Sequence, residues 1–159
     1  MSGARDLEGR TVLVRSDLSR GWTETFAAHL RDLATRGAVV AVVAGHDNPA
    51  GDVNPVMSLR HLVQPLSVLT GLPVHFVGDC VGPVAEAGLA ATPAGSIALL
   101  ENVRFHPEAQ RHSRTFAIRL SVLGDFFSVP GGMPEPAAVW IRELAKLLPE
   151  PTNDLAPSA

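Results

Sequence analysis

Cysteine is almost absent from this 159-residue sequence, which has only Cys80. A single cysteine cannot form a disulfide within the chain, and it does not supply the several thiolates that structural zinc sites use. The six histidines never fall at the spacing of a helical metal pair. We therefore expect no metal site, and we expect Cys80 to be a packed side chain, since no histidine lies near it in sequence to favour a reactive thiolate.

Long apolar runs and blocks of one charge are also missing. The longest apolar runs, such as residues 38–45, are too short to span a bilayer, and the opening MSGARDLEGR lacks an apolar segment of signal-peptide length. The net charge is −3, and no segment is rich in lysine and arginine. We expect a globular cytoplasmic protein with neither nucleic acid nor membrane as a partner.

Three motifs that identify common enzyme sites are not found. The chain has no GxxxxGK[ST] and no GxGxxG after its first predicted strand, so it lacks the two common nucleotide-binding loop motifs. It has no GxSxG, so a Ser-His-Asp hydrolase is not favoured.

What the sequence does have is an alternation of short β-branched runs with segments of helical period. This alternation is typical of a parallel sheet wrapped by helices. Strands are predicted over 11–15, 38–44, 74–77, 96–100 and 125–129, and helices over 23–36, 58–70, 83–90, 113–122 and 137–148. We expect an α/β fold, a Rossmann-like three-layer αβα sandwich with a mostly parallel sheet of about six strands. Residues 1–150 should form one domain, followed by a flexible tail over 151–159.

Ligands of open parallel sheets bind outside the carboxyl ends of the strands. The loops there carry these polar residues: Asp17, Ser19, Arg20, His46, Asp47, Asn48, Asp79, Asn102, Arg104 and His106. His46 and Arg104 each follow a buried strand, and two cations at a helix N-terminus suit a small phosphate or carboxylate. Loop cations also often pair with nearby acids or cap carbonyls, so both interpretations stay open.

Two segments resemble adjoining signatures of phosphoglycerate kinases: FVGDCVGPVAEAGLAA at 76–91 and LLENVRFHPE at 99–108. The match runs in order from Gly9 to Asp125. The resemblance implies that the chain corresponds to the first of the family's two lobes, which binds 3-phosphoglycerate or 1,3-bisphosphoglycerate. The second lobe binds magnesium-nucleotide. The resemblance therefore implies no cofactor for this chain, and Mg-ATP or ADP only if a partner chain supplies that lobe.

The resemblance implies four substrate-binding residues and no catalytic residue, and Arg20 is a fifth candidate because it is close enough in sequence to compensate for an arginine that is replaced by Trp22. The family's R-V-D-F-N appears at 15–19 with Asp17 retained and Ser19 in place of the amide, and Arg20 follows closely. His46 is the histidine of the family's S-H-L-G-R-P, and Arg104 is the arginine of the intact ENVRFH.

Three of the family's arginines have no counterpart. Trp22 occupies the position of one, the segment 45–49 has lost a second, and the segment after Asp125 lacks a third. Since each charge-assisted contact contributes about 1.5–3 kcal/mol, we expect weak binding of 3-phosphoglycerate.

Three functions remain open. The first is a pseudoenzyme of this glycolysis-related transferase family, a stand-alone domain that binds a protein partner or a modified anionic ligand. The second is the substrate-binding part of a split phosphoglycerate kinase, completed by another chain that would let phosphate pass between 1,3-bisphosphoglycerate and ADP. The third is a decaying gene product. A homodimer is a further expectation if Trp140, on the last predicted helix, is exposed.

Overall fold

The computed structural model describes residues 6–18, 21–45, 58–106, 114–134 and 137–151, with the backbone alone at Asp17. The elements of these residues, in chain order, are β1 (Thr11–Asp17), α1 (Glu24–Thr35), β2 (Val39–Gly45), a 3₁₀ turn (Arg60–Leu62), α2 (Val63–Thr70), β3 (Val74–Val77), α3 (Gly82–Ala90), β4 (Ile97–Leu100), a second 3₁₀ turn (Val103–Phe105), α4 (Arg114–Ser121), β5 (Phe126–Ser128) and α5 (Val139–Leu147).

The strands form one parallel sheet in the order β3-β4-β2-β1-β5. Alternate residues of each strand face opposite sides. One side, with Val12, Val14, Val42 and Leu99, packs under α1 and α2, whereas the other, with Leu13 and Leu100 among its members, packs under α3, α4 and α5. The predicted three-layer α/β fold is confirmed.

The sheet has five strands in the described part of the chain, where about six were expected. Beyond β5, the position of a next strand is taken by the segment after α5, whose Pro149 carbonyl accepts a hydrogen bond from the Phe127 N–H (2.9 Å). Pro149 and Pro151 have no N–H to donate. This segment therefore covers the edge of β5 without forming a ladder.

Helix ends follow local signals in the sequence. The side-chain oxygen of Thr23 accepts a hydrogen bond from the Phe26 N–H (3.1 Å) and caps α1, and Gly71 ends α2 at φ +72°. The predicted helix over 58–70 begins instead as the 3₁₀ turn Arg60–Leu62. Among the described helices, none combines the length and the apolar character that a membrane crossing requires.

Trp140 lies on α5 and is only 6% exposed. Its ring meets Phe116 edge-on, with centroids 6.3 Å apart, and it tilts against Phe127 at 6.5 Å. Helix α5 thus covers this face of the sheet within one chain. The contact on which the homodimer expectation depended is not available, because Trp140 is buried.

Candidate functional site

All strand pairs are parallel, so the carboxyl ends of the strands lie along one edge of the sheet, named here the carboxyl edge. At this edge the last residue of β1, Asp17, is the register partner of the last residue of β2, Gly45. The loop after β4 begins beside them, because β4 pairs with the other side of β2. The centre of the carboxyl edge is therefore formed by β1, β2 and the β4 loop.

Arg104 is the one predicted substrate-binding residue whose side chain is described. Ser19, Arg20 and His46 lie outside the described residues, as does the side chain of Asp17. The backbone of Asp17 ends β1 at the carboxyl edge. Convergence of Asp17, His46 and Arg104 on one ligand thus stays a prediction.

Glu101 joins the end of β4 to the segment that leads into α2. One carboxylate oxygen accepts hydrogen bonds from the N–H groups of Leu59 (2.8 Å) and Asn102 (2.9 Å). The other accepts from the hydroxyl of Ser58 (2.7 Å). The glutamate of the ENVRFH segment is therefore a structural anchor rather than a ligand contact.

Asn102 shapes the turn that presents Arg104. The Asn102 side chain is fully buried, and its oxygen accepts a hydrogen bond from the Arg104 N–H (3.0 Å), which caps the second 3₁₀ turn. Val103 and Phe105 on either side are buried, whereas Arg104 is exposed. The alternation of buried and exposed side chains in this motif thus places Arg104 on the outer side of a short turn.

The side chain of Arg104 lies across the end of β2. A methyl carbon placed at Gly45 would come within 3.1 Å of the Arg104 Nε atom. Gly45 is the register partner of Asp17, so Arg104 contacts β2 at the strand end that lies beside the end of β1. A planar guanidinium at the carboxyl edge is well suited to bind a carboxylate or phosphate in a bidentate manner.

Asp79 and His106 link the loops that follow β3 and β4. The His106 Nε2 and Asp79 Oδ1 atoms are 2.7 Å apart, and the same oxygen accepts from the Cys80 N–H (2.7 Å). Both residues were predicted to lie at this edge, and the structure brings them together. Their contact joins the two sequence segments that carry the family resemblance.

With Cys80, these two side chains form the one group of potential metal ligands found among the described residues, with ligand atoms within 4.8 Å of one another. Cys80 is fully buried, as expected of a packed side chain, and this burial raises the pKa of its thiol well above the usual range. A protonated, enclosed thiol is a poor metal ligand. The hydrogen bonds of Asp79 already explain the close approach.

Trp22 stands near the start of α1, where the resemblance implies an arginine. Its indole N–H donates a hydrogen bond to the Leu62 carbonyl (3.1 Å), and its ring stacks on Phe26 with centroids 5.7 Å apart. The Trp22 side chain therefore joins α1 to the segment preceding α2, and it brings no charge to the carboxyl edge.

A cavity of about 330 Å³ lies between α1, β5 and the segment after α5. His29 and Ser128 line it and are hydrogen-bonded, with 2.9 Å between Nε2 and Oγ. Burial lowers the pKa of His29. His29 was not among the predicted site residues, although its position three residues after Phe26 and four before Leu33 places it on the apolar face of the helix.

Comparison with known proteins gives consistent results. Residues 3–129 match the family model described as "Phosphoglycerate kinase". The phosphoglycerate kinase of Caulobacter vibrioides (strain NA1000 / CB15N) is 40% identical over 155 residues, which cover 91% of this chain and 39% of that protein. That of Rhizorhabdus wittichii is 39% identical over 132 residues, covering 77% of this chain and 33% of the relative. The chain thus spans about two fifths or less of the length of these relatives.

Solved structures share the fold. A crystal structure of phosphoglycerate kinase from Pyrococcus horikoshii OT3 superposes with a TM-score of 0.64 at 21% identity, covering 77% of this chain and 34% of that one. The structure of phosphoglycerate kinase from Coxiella burnetii gives 0.63 at 23% identity, covering 81% and 34%.

Proposed function

The chain belongs to the phosphoglycerate kinase family, and we propose that by itself it is a noncatalytic binding domain with a weak site for a phosphoglycerate-type anion. The observation that carries this proposal is the exposed Arg104, held by a capped turn at the centre of the carboxyl edge. The matched relatives are named phosphoglycerate kinases, and this chain corresponds to about two fifths of their length.

Arg104 supplies the affinity in this proposal. A charge-assisted bond from a guanidinium to a carboxylate or phosphate contributes about 1.5–3 kcal/mol. Asp17, Ser19, Arg20 and His46 are proposed as the other contacts, on the resemblance of their sequence positions.

The site is proposed to be weak because Trp22 brings no charge to the start of α1 and makes a packing contact instead. The sequence also lacks an arginine in 45–49 and in 126–141. Three missing contacts of the stated size would weaken binding by roughly three powers of ten or more, since about 1.4 kcal/mol corresponds to a factor of ten.

Phosphoryl transfer depends on placing donor and acceptor in line and on positive charge around the transferring group. With few cations retained and only part of the relatives' length matched, we propose no transfer by this chain alone. Mg-ATP or ADP would enter only through another chain. A protein partner and a cytoplasmic location stay predictions.

Isothermal titration with 3-phosphoglycerate at fixed ionic strength tests the proposal. We expect a dissociation constant well above the micromolar range for the unchanged chain and no measurable binding for Arg104→Ala. The matched control is Arg10→Ala, which removes the same charge just before β1, at the opposite edge of the sheet, where Arg10 is 61% exposed. Its binding should equal that of the unchanged chain.

Two results would contradict the proposal. Micromolar binding that Arg104→Ala abolishes would indicate a retained substrate site and contradict the noncatalytic assignment. Production of ADP from Mg-ATP and 3-phosphoglycerate by the purified chain would do the same. Activity that appears only after a nucleotide-binding chain is added would identify the split-kinase alternative.

A further inference from the structure

The segment after α5 lies along the outer edge of β5, which is the last strand in the order of the sheet. Leu148 has extended backbone angles, with φ −126° and ψ 137°. A residue that precedes a proline is restricted to extended conformations, and this applies to Leu148 and to Glu150. Residues 149–151, named here the strap, therefore leave α5 in the conformation of a strand.

One hydrogen bond shows which strap residues face β5. The Phe127 N–H donates to the Pro149 carbonyl (2.9 Å). In an extended chain the N–H and C=O of one residue point to the same side, and those of the residue two positions further point there as well. The backbone groups of Pro149 and Pro151 therefore face β5, whereas those of Glu150 face outward.

Both strap residues that face β5 are prolines, which have no N–H. A ladder would need a donor for the Phe127 carbonyl, from position 149 in an antiparallel pair or from position 151 in a parallel pair. The strap therefore accepts a hydrogen bond from β5 and donates none to it. It covers this edge with fewer bonds than a regular strand would make.

We propose that the strap is displaceable and that the β5 edge beneath it is a docking surface for β5 of a second copy of this chain. Two antiparallel copies of β5 related by a two-fold axis can place Phe127 opposite Phe127. Residues paired in this way exchange both N–H···O bonds. Phe127 presents one donor and one acceptor on its outer side, which is the self-complementary set that such a pair requires.

The dimer should be weak and reversible, because β5 has only three residues and the strap must leave before the two copies pair. It does not involve Trp140, which stays buried under α5 in each copy. It is also independent of the anion site, because Arg104 lies in the β4 loop and β4 is not a neighbour of β5 in the sheet.

The test uses the full chain with both strap prolines replaced, Pro149→Ala together with Pro151→Ala. This double variant restores the two donors that face β5, so the strap should pair as a sixth strand. The edge that results would present Glu150, and like charges opposite each other across a strand pair are unfavourable. The matched control is Pro93→Ala, which changes an exposed proline in the turn between α3 and β4.

The first measurement is amide hydrogen exchange. In the double variant we expect protected amides at positions 149 and 151. The Phe127 amide should exchange about tenfold more slowly, as for about 1.4 kcal/mol from an added backbone hydrogen bond. Pro93→Ala should leave the Phe127 amide unchanged. If the new amides exchange as fast as in an unstructured peptide, the prolines do not keep the strap out of the ladder, and the inference is overturned.

The second measurement is sedimentation equilibrium over a range of protein concentrations. We expect a weak dimer for the unchanged chain and for Pro93→Ala, with an association constant about tenfold lower in the double variant, because the stronger strap must be displaced first. A monomer at every concentration would show a permanent cover and overturn the docking surface. A dimer that the double variant forms equally well would place the contact elsewhere and overturn it too.

Discussion

Replacing Glu101 by alanine should destabilise the whole domain, although this residue lies in a loop. Its carboxylate accepts hydrogen bonds from the Ser58 hydroxyl and from the N–H groups of Leu59 and Asn102. The bonds from Ser58 and Leu59 connect segments that are about forty residues apart in the chain. Their loss would separate the β4 loop from the segment that leads into α2.

The expected magnitude follows from what each donor loses. Leu59 is fully buried, so its N–H would be left without an acceptor, at a cost of about 1–3 kcal/mol. Ser58 is only partly buried, so water can replace part of its lost bond. We expect Glu101→Ala to lower the free energy of unfolding by about 2–4 kcal/mol in total. Glu101→Gln should cost roughly half as much, because the amide keeps one acceptor oxygen.

Urea unfolding followed by tryptophan fluorescence measures this change. The matched control is Glu86→Ala on α3, which removes the same charge from an exposed side chain and should alter stability by no more than about 0.5 kcal/mol. If Glu101→Ala proves as mild as Glu86→Ala, the carboxylate does not anchor the loop, and the account of this motif is wrong.

Two further predictions concern the faces of the sheet. Trp140→Ala should cost about 3–5 kcal/mol of stability in urea unfolding, because it removes a buried ring from Phe116 and Phe127; a mild effect together with a change of oligomeric state would contradict burial within one chain. Burial lowers the pKa of His29 below its ordinary value of 6.5, so folding favours the neutral ring. Its stabilising contribution is therefore complete above pH 6.5 and is lost as the pH falls through the lowered value. Between pH 7.5 and 5, the free energy of unfolding in urea should fall less in His29→Gln than in the unchanged chain. An equal fall in both proteins would refute the assignment.

The order of elements could be predicted from the sequence because each strand and helix carries its own local signal. Buried strands such as β2 are short β-branched runs, and α1 begins at a capping threonine, Thr23. The place of Arg104 at the end of a strand followed from the same patterns. Within the described residues the sheet has five strands where about six were expected, because Pro149 and Pro151 cover the β5 edge without the donors that a ladder needs.

The contacts that build the site could not be predicted, because they join distant parts of the chain. Nothing local to Trp22 indicates that its indole N–H will bond to Leu62, forty residues away. In the same way, nothing local to Glu101 indicates that its carboxylate will accept a hydrogen bond from the N–H of Leu59, which lies far from it in the chain. Local patterns specify elements, whereas such contacts depend on how the elements pack.

The most direct test of the central claim is a titration of the ¹⁵N-labelled chain with 3-phosphoglycerate, followed through its backbone amide resonances. We expect weak, saturable shifts that cluster at the carboxyl edge, around Asp17, Gly45 and Arg104, and that disappear in Arg104→Ala. Shifts centred on the cavity at His29 and Ser128 would contradict the proposed anion site. The absence of shifts at millimolar ligand would also contradict it, because a millimolar dissociation constant corresponds to only about 4 kcal/mol of binding free energy.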